Sequence, residues 1–215
     1  MVELAGEQVE LLAERALWWP SARVLVVADL HWGKVETFHA HGIPVPAGVL
    51  GDDLDRLGRA IARTGASRVL VLGDLVHGPL RPAVVEAVST WRHTHRTPMA
   101  LIRGNHDRHA PTMPEAWNIE DIRGELREGP FLFTHVPAEH PGAYTLAGHL
   151  HPTLRLRGRG DSLRLPCFFL GPRVGVLPAF SAFSGGVAVR PARGDRVWVV
   201  AEGAVVPVGG SRSDA

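Results

Sequence analysis

Cysteine is almost missing from this sequence: Cys167 is the single one in 215 residues, so no intrachain disulfide framework can hold the fold. Its neighbours Pro166, Phe168 and Phe169 point to a buried thiol, the common fate of a lone cysteine. A charge surplus is missing as well. Lys plus Arg number 23 against 22 for Asp plus Glu, so composition alone carries no nucleic-acid signal. A nuclease built on this chain needs its positive charge concentrated locally. No uninterrupted apolar run is long enough to cross a bilayer, which argues against a helical membrane span. The start, Met1-Val2-Glu3-Leu4-Ala5-Gly6-Glu7, lacks a basic segment followed by an apolar one. A signal peptide is therefore not expected, and the cytoplasm is the expected location. Fixed-period repeats and low-complexity tracts are absent too.

What is present is an ordinary globular balance, 45% hydrophobic and 21% charged, together with an unusual 12 histidines. The length suits one domain over residues 1–215, with Gly209–Ala215 as a small polar, frayed tail. Short apolar runs at 23–28, 69–72 and 99–102, rich in β-branched residues, read as buried central strands. Between the first two, residues 49–64 place Leu50, Leu54, Leu57 and Ile61 at helical spacing, with Gly65 as a stop. Residues 82–95 form a second helix, with Pro82 suited to its first turn. Strands alternating with helices predict a βαβαβ unit with a mostly parallel sheet. From residue 131 onward helices are scarce. Short strands at 131–134 and 144–147 precede runs at 153–156, 163–170, 187–190 and 196–206 that read as antiparallel, with Gly203 able to turn a hairpin in the last. Two sheets packed face to face, with helices outside, are expected.

In open α/β sheets functional groups gather beyond the carboxyl ends of the strands. Here five successive strand ends carry Asp29 and His31, Asp74, Asn105 and His106, His135, and His149 and His151. All bind metal through oxygen or imidazole and none is a thiolate, which disfavours a structural zinc site and favours manganese, iron or zinc in a reactive one. Taken singly, each histidine reads as a structural or surface residue, and Asp29 or Asp74 as a helix cap. Their joint recurrence at strand ends is what argues for a metal site.

The pattern resembles the calcineurin-like metallophosphatases, whose five motifs stand here in order. They are Asp29-Leu30-His31, Gly73-Asp74, Gly104-Asn105-His106-Asp107, His135, and Gly148-His149-Leu150-His151. The resemblance implies an α/β fold, an αββα sandwich of two mixed sheets flanked by helices. It also implies two divalent transition-metal ions. Asp29, His31, Asp74 and His151 would hold one, and Asp74, Asn105, His135 and His149 the other. Two such ions, roughly 3.5–4 Å apart, can bind a hydroxide between them for in-line attack on a phosphate ester. His106 is then the expected general acid, and His77 its neighbour, as in the superfamily's double-strand-break repair nucleases, where a histidine follows the second motif.

A narrower resemblance is to the ligase-associated DNA damage response endonucleases, PdeM. It rests on Ala28-Asp29-Leu30-His31-Trp32-Gly33-Lys34, Gly42-Ile43-Pro44-Val45-Pro46, Arg103-Gly104-Asn105-His106-Asp107-Arg108, residues 161–168, Leu177-Pro178-Ala179-Phe180 and Phe183-Ser184-Gly185-Gly186. It implies a manganese-dependent phosphodiesterase acting on DNA in repair, with single strands as the expected form and a DNA ligase and helicase as functional associates. Val136 stands where glutamate is expected, and Trp32 and Val76 are further departures; all three bear on substrate preference rather than on the metal site. Lys34 and Arg108, next to expected ligands, are candidates for substrate phosphates or for ordinary salt bridges. Arg155, Arg157 and Arg159 alternate with Leu154 and Leu156, which puts the arginines on one strand face as a DNA path or a solvated surface. Two rival functions remain open: a phosphatase or pyrophosphatase on small phosphorylated molecules, and a non-catalytic scaffold of the same fold.

Overall fold

The computed structural model describes residues 1–110, 112–158 and 161–208; the expected tail and Arg159 lie outside the described residues. The chain opens with three strands that the periodicity did not reveal: β1 (Val2–Leu4), β2 (Glu7–Leu12) and β3 (Ala16–Trp19). Then come β4 (Val24–Val27), helices α1 (Lys34–Ala40) and α2 (Val49–Thr64), β5 (Arg68–Leu72), α3 (Pro82–Thr94), β6 (Met99–Ile102) and β7 (Ile119–Ile122). Strands β1 to β4 pair antiparallel and β4 to β7 pair parallel, making one mixed seven-stranded sheet.

The helix signals hold. Gly65 ends α2 in the left-handed conformation, and Pro82 begins α3. Leu54, Leu57 and Ile61 of α2 and Val84, Val88 and Trp91 of α3 pack against Leu25, Val27, Val69, Val71 and Leu101 on one sheet face. At ~25 cal/mol per Å² of apolar surface removed from water, that contact supplies most of what holds the helices in place.

The second half adds β8 (Leu126–Glu128), β9 (Phe131–Phe133), β10 (Tyr144–Ala147), β11 (Pro152–Arg157), β12 (Ser162–Leu170), β13 (Val174–Val176), β14 (Val187–Ala188), β15 (Arg196–Ala201) and β16 (Ala204–Val208). They form a mixed nine-stranded sheet. Its β9 and β10 pair parallel, and so do β11 and β14, which corrects the antiparallel reading of the run at 187–190; the pairings of β12 with β11 and with β15 are antiparallel as expected. Phe131, Phe133 and Leu146 of β9 and β10 are fully enclosed, as parallel strands covered on their inner face require. A β15–β16 hairpin turns at Glu202 and Gly203, as expected for Gly203.

The two sheets face each other across a shared core. Val24, Val26, Ala28, Leu70, Leu72 and Ile102 of the first meet Phe131, Phe133, Leu146, Phe168 and Leu170 of the second. Cys167 is enclosed in a smaller cluster with Leu154, Val197 and Val199, and burial pushes its thiol up to about 12. The carboxyl ends of β4, β5, β6, β9 and β10 therefore meet along one seam, where both sheets deliver polar residues. No helix among the described residues is long and apolar enough to cross a membrane.

Candidate metal centre

Beyond the strand ends the backbone takes up an unusual conformation. Asp29, His31, Asp74, His149 and His151 all have positive φ, between 47° and 69°. Left-handed backbone costs a residue with a Cβ about 1–2 kcal/mol. Five such positions amount to a sizeable share of the ~5–15 kcal/mol by which domains are stable, so these turns persist only because surrounding contacts impose them.

Those contacts are on view. Backbone bonds continue the β4–β5 pairing past the strands: His31 N donates to the Asp74 carbonyl at 2.9 Å and His77 N to the Trp32 carbonyl at 2.9 Å. The Asp29 carboxylate accepts from His149 N at 2.9 Å, and the Asp74 carboxylate accepts from His106 N at 2.9 Å. Each aspartate thereby fixes the loop of a different motif. Glycine is required where these loops meet. A Cβ on Gly73 would fall 2.1 Å from His135 Nδ1, and one on Gly104 would fall 2.2 Å from Asp74 Oδ1.

Three groups of donor atoms result, one of them His31, His77 and His106; the other two share an aspartate. One ligand atom each from Asp29, His31, Asp74 and His151 falls within 4.8 Å of the others, and the same holds for Asp74, His135 and His149. Asp74 belongs to both. Asn105 joins the second group, its Oδ1 3.1 Å from His135 Nε2. The structure thus brings together the seven residues expected as ligands, with Asp74 between the other six. The tautomers suit metal binding: His135 Nδ1 donates to the Leu72 carbonyl at 3.0 Å and His151 Nδ1 to the Gly185 carbonyl at 3.1 Å, which leaves both Nε2 lone pairs directed into the site. There, His149 Nδ1 approaches His135 Nε2 at 3.0 Å, and His31 Nε2 approaches His151 Nε2 at 3.2 Å.

Within the first group the two histidines are pushed in opposite directions. Burial, aided by His151, Lys34, His77 and His106, pushes His31 down to about 2, so its imidazole is held neutral as a ligand must be. For His151 burial pulls downward, but the hydrogen bond and charge of Asp29 outweigh it and raise the value. Burial lowers the Lys34 ammonium against the opposing pull of Asp74, which brings this expected substrate contact to the edge of the centre.

His77 and His106 lie beside the first group. Their rings stack at 4.7 Å, and His31 meets each edge-on, at 5.3 Å and 5.2 Å. Arg108 is exposed on the 3₁₀ turn His106–His109, just past the third motif. Arg155 and Arg157 are exposed on β11, and Arg164 of β12 stands directly opposite Arg155, so it shares their face. Leu154 is buried and Leu156 half-buried on the other side, as the alternation predicted. His39 and His41 are exposed and bond carbonyls of their own segment, outside the centre.

Sequence reasoning passed over Asp107 although it stands inside the third motif. Its fully buried carboxylate accepts from Gly104 N at 2.8 Å and Val76 N at 3.1 Å, tying the second and third motif loops together. It also passed over Asp53 and Arg56 of α2. Asp53 pairs with Arg56 at 2.6 Å and accepts from Ala182 N at 3.2 Å, while Arg56 donates to the Phe180 carbonyl and lies over the Phe180 ring. Phe180 N in turn donates to the Ala28 carbonyl at 2.7 Å, so this pair braces the first motif from behind. An acidic residue on the apolar face of α2, beside Leu54 and Leu57, was the available signal.

Comparison with known proteins agrees with this geometry. The calcineurin-like phosphoesterase family model matches residues 22–169, well over half of the chain. Among solved structures the chain is similar to a Pseudomonas putida nuclease, MPE, at 37% identity and a TM-score of 0.85, covering 96% of this chain and 98% of that one. The E. coli phosphoesterase Yfce is more distant, at 16% identity and a TM-score of 0.46, covering 86% and 97%. No significant match is found among curated proteins. The donor groups of aspartate and histidine are of the kind that hold divalent ions, and the chain belongs to the calcineurin-like phosphoesterase family, as a metal-dependent phosphoester hydrolase.

Proposed function

We propose that the chain is a manganese-dependent phosphodiesterase that cleaves DNA, single strands in particular, in DNA repair. The observation that carries the reading is the position of Asp74 in two of the donor groups, with the stacked His77 and His106 alongside. Asp29, His31, Asp74 and His151 would hold one ion; Asp74, Asn105, His135 and His149 would hold the other. When bound, such a pair supplies a hydroxide nucleophile at neutral pH and neutralises charge on the phosphate. A donor set of imidazole, carboxylate and amide, without thiolate, supports manganese, with iron or zinc as competitors.

The remaining chemistry belongs to the protein. His106 is the general acid, giving its proton to the departing oxygen, and the His77 ring holds it in place by stacking. Lys34 and Arg108 contact substrate phosphate. Nucleic acid as substrate is supported by the likeness to the Pseudomonas putida nuclease along the whole chain, and by the arginine face of β11 and β12. The family resemblance extends the proposal to a cytoplasmic role beside a DNA ligase and helicase.

The test compares a bis-aryl phosphate, a mono-aryl phosphate and circular single-stranded DNA, each with manganese after chelation. Cleavage of the diester and the circle, with little action on the monoester, is expected. Preference for the monoester with an intact circle would instead make it a phosphatase of small molecules.

A further inference from the structure

Next to the metal centre lies a cavity of about 270 Å³ that has His151 as a shared wall. Arg15, Thr153, Arg164, Ser181 and Ser184 also line it, and no carboxylate does. Its arginines come from distant parts of the chain. Arg15 sits in the turn between β2 and β3 at a φ of 63°, a conformation that glycine or asparagine adopts more readily. There its guanidinium donates to the Ser181 carbonyl at 2.9 Å and reaches the Ala179 carbonyl at 3.5 Å. Arg164 Nε donates to Thr153 Oγ1 at 2.9 Å, and its guanidinium also bonds the Gly186 carbonyl. Both guanidiniums are thus oriented by the loop that carries Ser184. The Ser184 hydroxyl is itself buried and has no hydrogen-bond partner. A polar group left in that state costs stability unless a ligand completes it.

We infer that this cavity is a subsite for a backbone phosphate adjoining the scissile one, held by Arg15, Arg164 and Ser184. The inference rests on the diesterase reading above and deepens it by saying how a strand is gripped. Two oriented guanidiniums and a hydroxyl match a phosphate and repel a cation, because the one carboxylate that acts on Arg15, that of Asp53, lies behind the lining and is paired with Arg56 at 2.6 Å. A strand whose scissile phosphate lies at the metals reaches this cavity with its next one, because His151 separates the two sites. Arg164 then leads on to Arg155, its cross-strand neighbour, and to Arg157. A chain with nearly equal positive and negative charge therefore concentrates arginine along one path from the centre outward.

The test is binding of fluorescent tetrathymidylate, followed by polarisation with the full chain in chelator, where no cleavage occurs, and repeated with manganese in the His106→Ala background, which should keep both ions and cleave too slowly to matter. Each linkage in turn is made neutral as a methylphosphonate. In the wild type one neutral linkage, beside the position held at the metals, should weaken binding about tenfold, the scale of a charge-assisted contact. In Arg15→Gln and in Ser184→Ala the unmodified tetramer should bind several-fold to tenfold more weakly, and that neutral linkage should cost little more. Ser184→Ala removes a group with no partner in the fold, so it keeps the test valid if Arg15→Gln folds poorly. A neutral linkage that costs nothing in the wild type, or as much in both variants as in the wild type, overturns the subsite. Failure of the diesterase reading is visible separately, as absent bis-aryl phosphate hydrolysis by the manganese-loaded wild type.

Discussion

His77 and His106 stack with their ring centroids 4.7 Å apart and their planes 24° from parallel. His77 Nδ1 also approaches His31 Nδ1, at 3.4 Å. His77 therefore bridges an expected metal ligand and the expected general acid.

That relationship predicts unequal and non-additive mutants. His106→Ala should keep both ions while kcat falls by about 10²–10⁴, the usual worth of general acid help. His77→Ala should fall less, and the double variant should fall little below His106→Ala alone. Metal content and steady-state kinetics check this; fully additive losses mean that the two rings act independently, and a change confined to KM means that His106 only binds substrate.

Glycine substitutions test how the loops are fitted together. In Gly104→Ala the new methyl would lie 2.2 Å from the Asp74 carboxylate, whose backbone nitrogen is 2.4 Å away, and neither can yield without moving a ligand. Metal affinity should drop at least tenfold while the far-ultraviolet circular dichroism stays native. Calorimetric titration with manganese measures it, and unchanged affinity would show that the second and third motif loops are looser than described.

Much of this was legible in the sequence, for a physical reason. Parallel strands buried on both faces read as apolar runs, and their carboxyl ends meet along one seam, so order along the chain was enough to bring Asp29, Asp74 and Asn105 to one place. The β11 alternation likewise predicted which face Arg155 takes. The N-terminal β1–β3 meander escaped because Val9, Leu11 and Leu12 do not alternate cleanly, both faces of β2 being partly covered. Arg15 escaped because its role depends on contacts with Ala179 and Ser181, more than 160 residues away, for which a single sequence has no periodicity. Asp107 was visible but silent: its task is to bind backbone, and residue type alone does not separate that from ligation.

Cys167 offers a check on the packing of the second sheet. Its thiol is pushed from 9.0 up to about 12 by burial, so at pH 8 it should stay protonated and resist alkylation until the protein unfolds. Above pH 9 the unfolded chain releases a proton that the folded chain keeps, so stability falls by about 1.4 kcal/mol per pH unit between 9 and 12 from this group. Denaturant melts at pH 8 and 10 on the wild type and Cys167→Ala isolate it; equal pH dependence in both would show a solvated thiol.

The arginine face can be tested apart from the subsite. Replacing Arg155 and Arg157 with Gln should lower the salt slope of single-strand binding by about 1–2 units, since each lost phosphate contact removes roughly 0.7. Hydrolysis of a small bis-aryl phosphate should continue at the wild-type rate. An unchanged slope places the strand elsewhere.

The central claim is that one carboxylate, Asp74, serves two ions. The direct measurement is metal content per chain after manganese loading and gel filtration, for the wild type, Asp74→Asn and His149→Ala. The wild type should retain two ions and His149→Ala close to one, because only the second donor group is damaged. Asp74→Asn should fall well below one, with hydrolysis lost, because both groups lose a charged donor together. One full ion retained by Asp74→Asn would contradict the shared site and leave two independent ones.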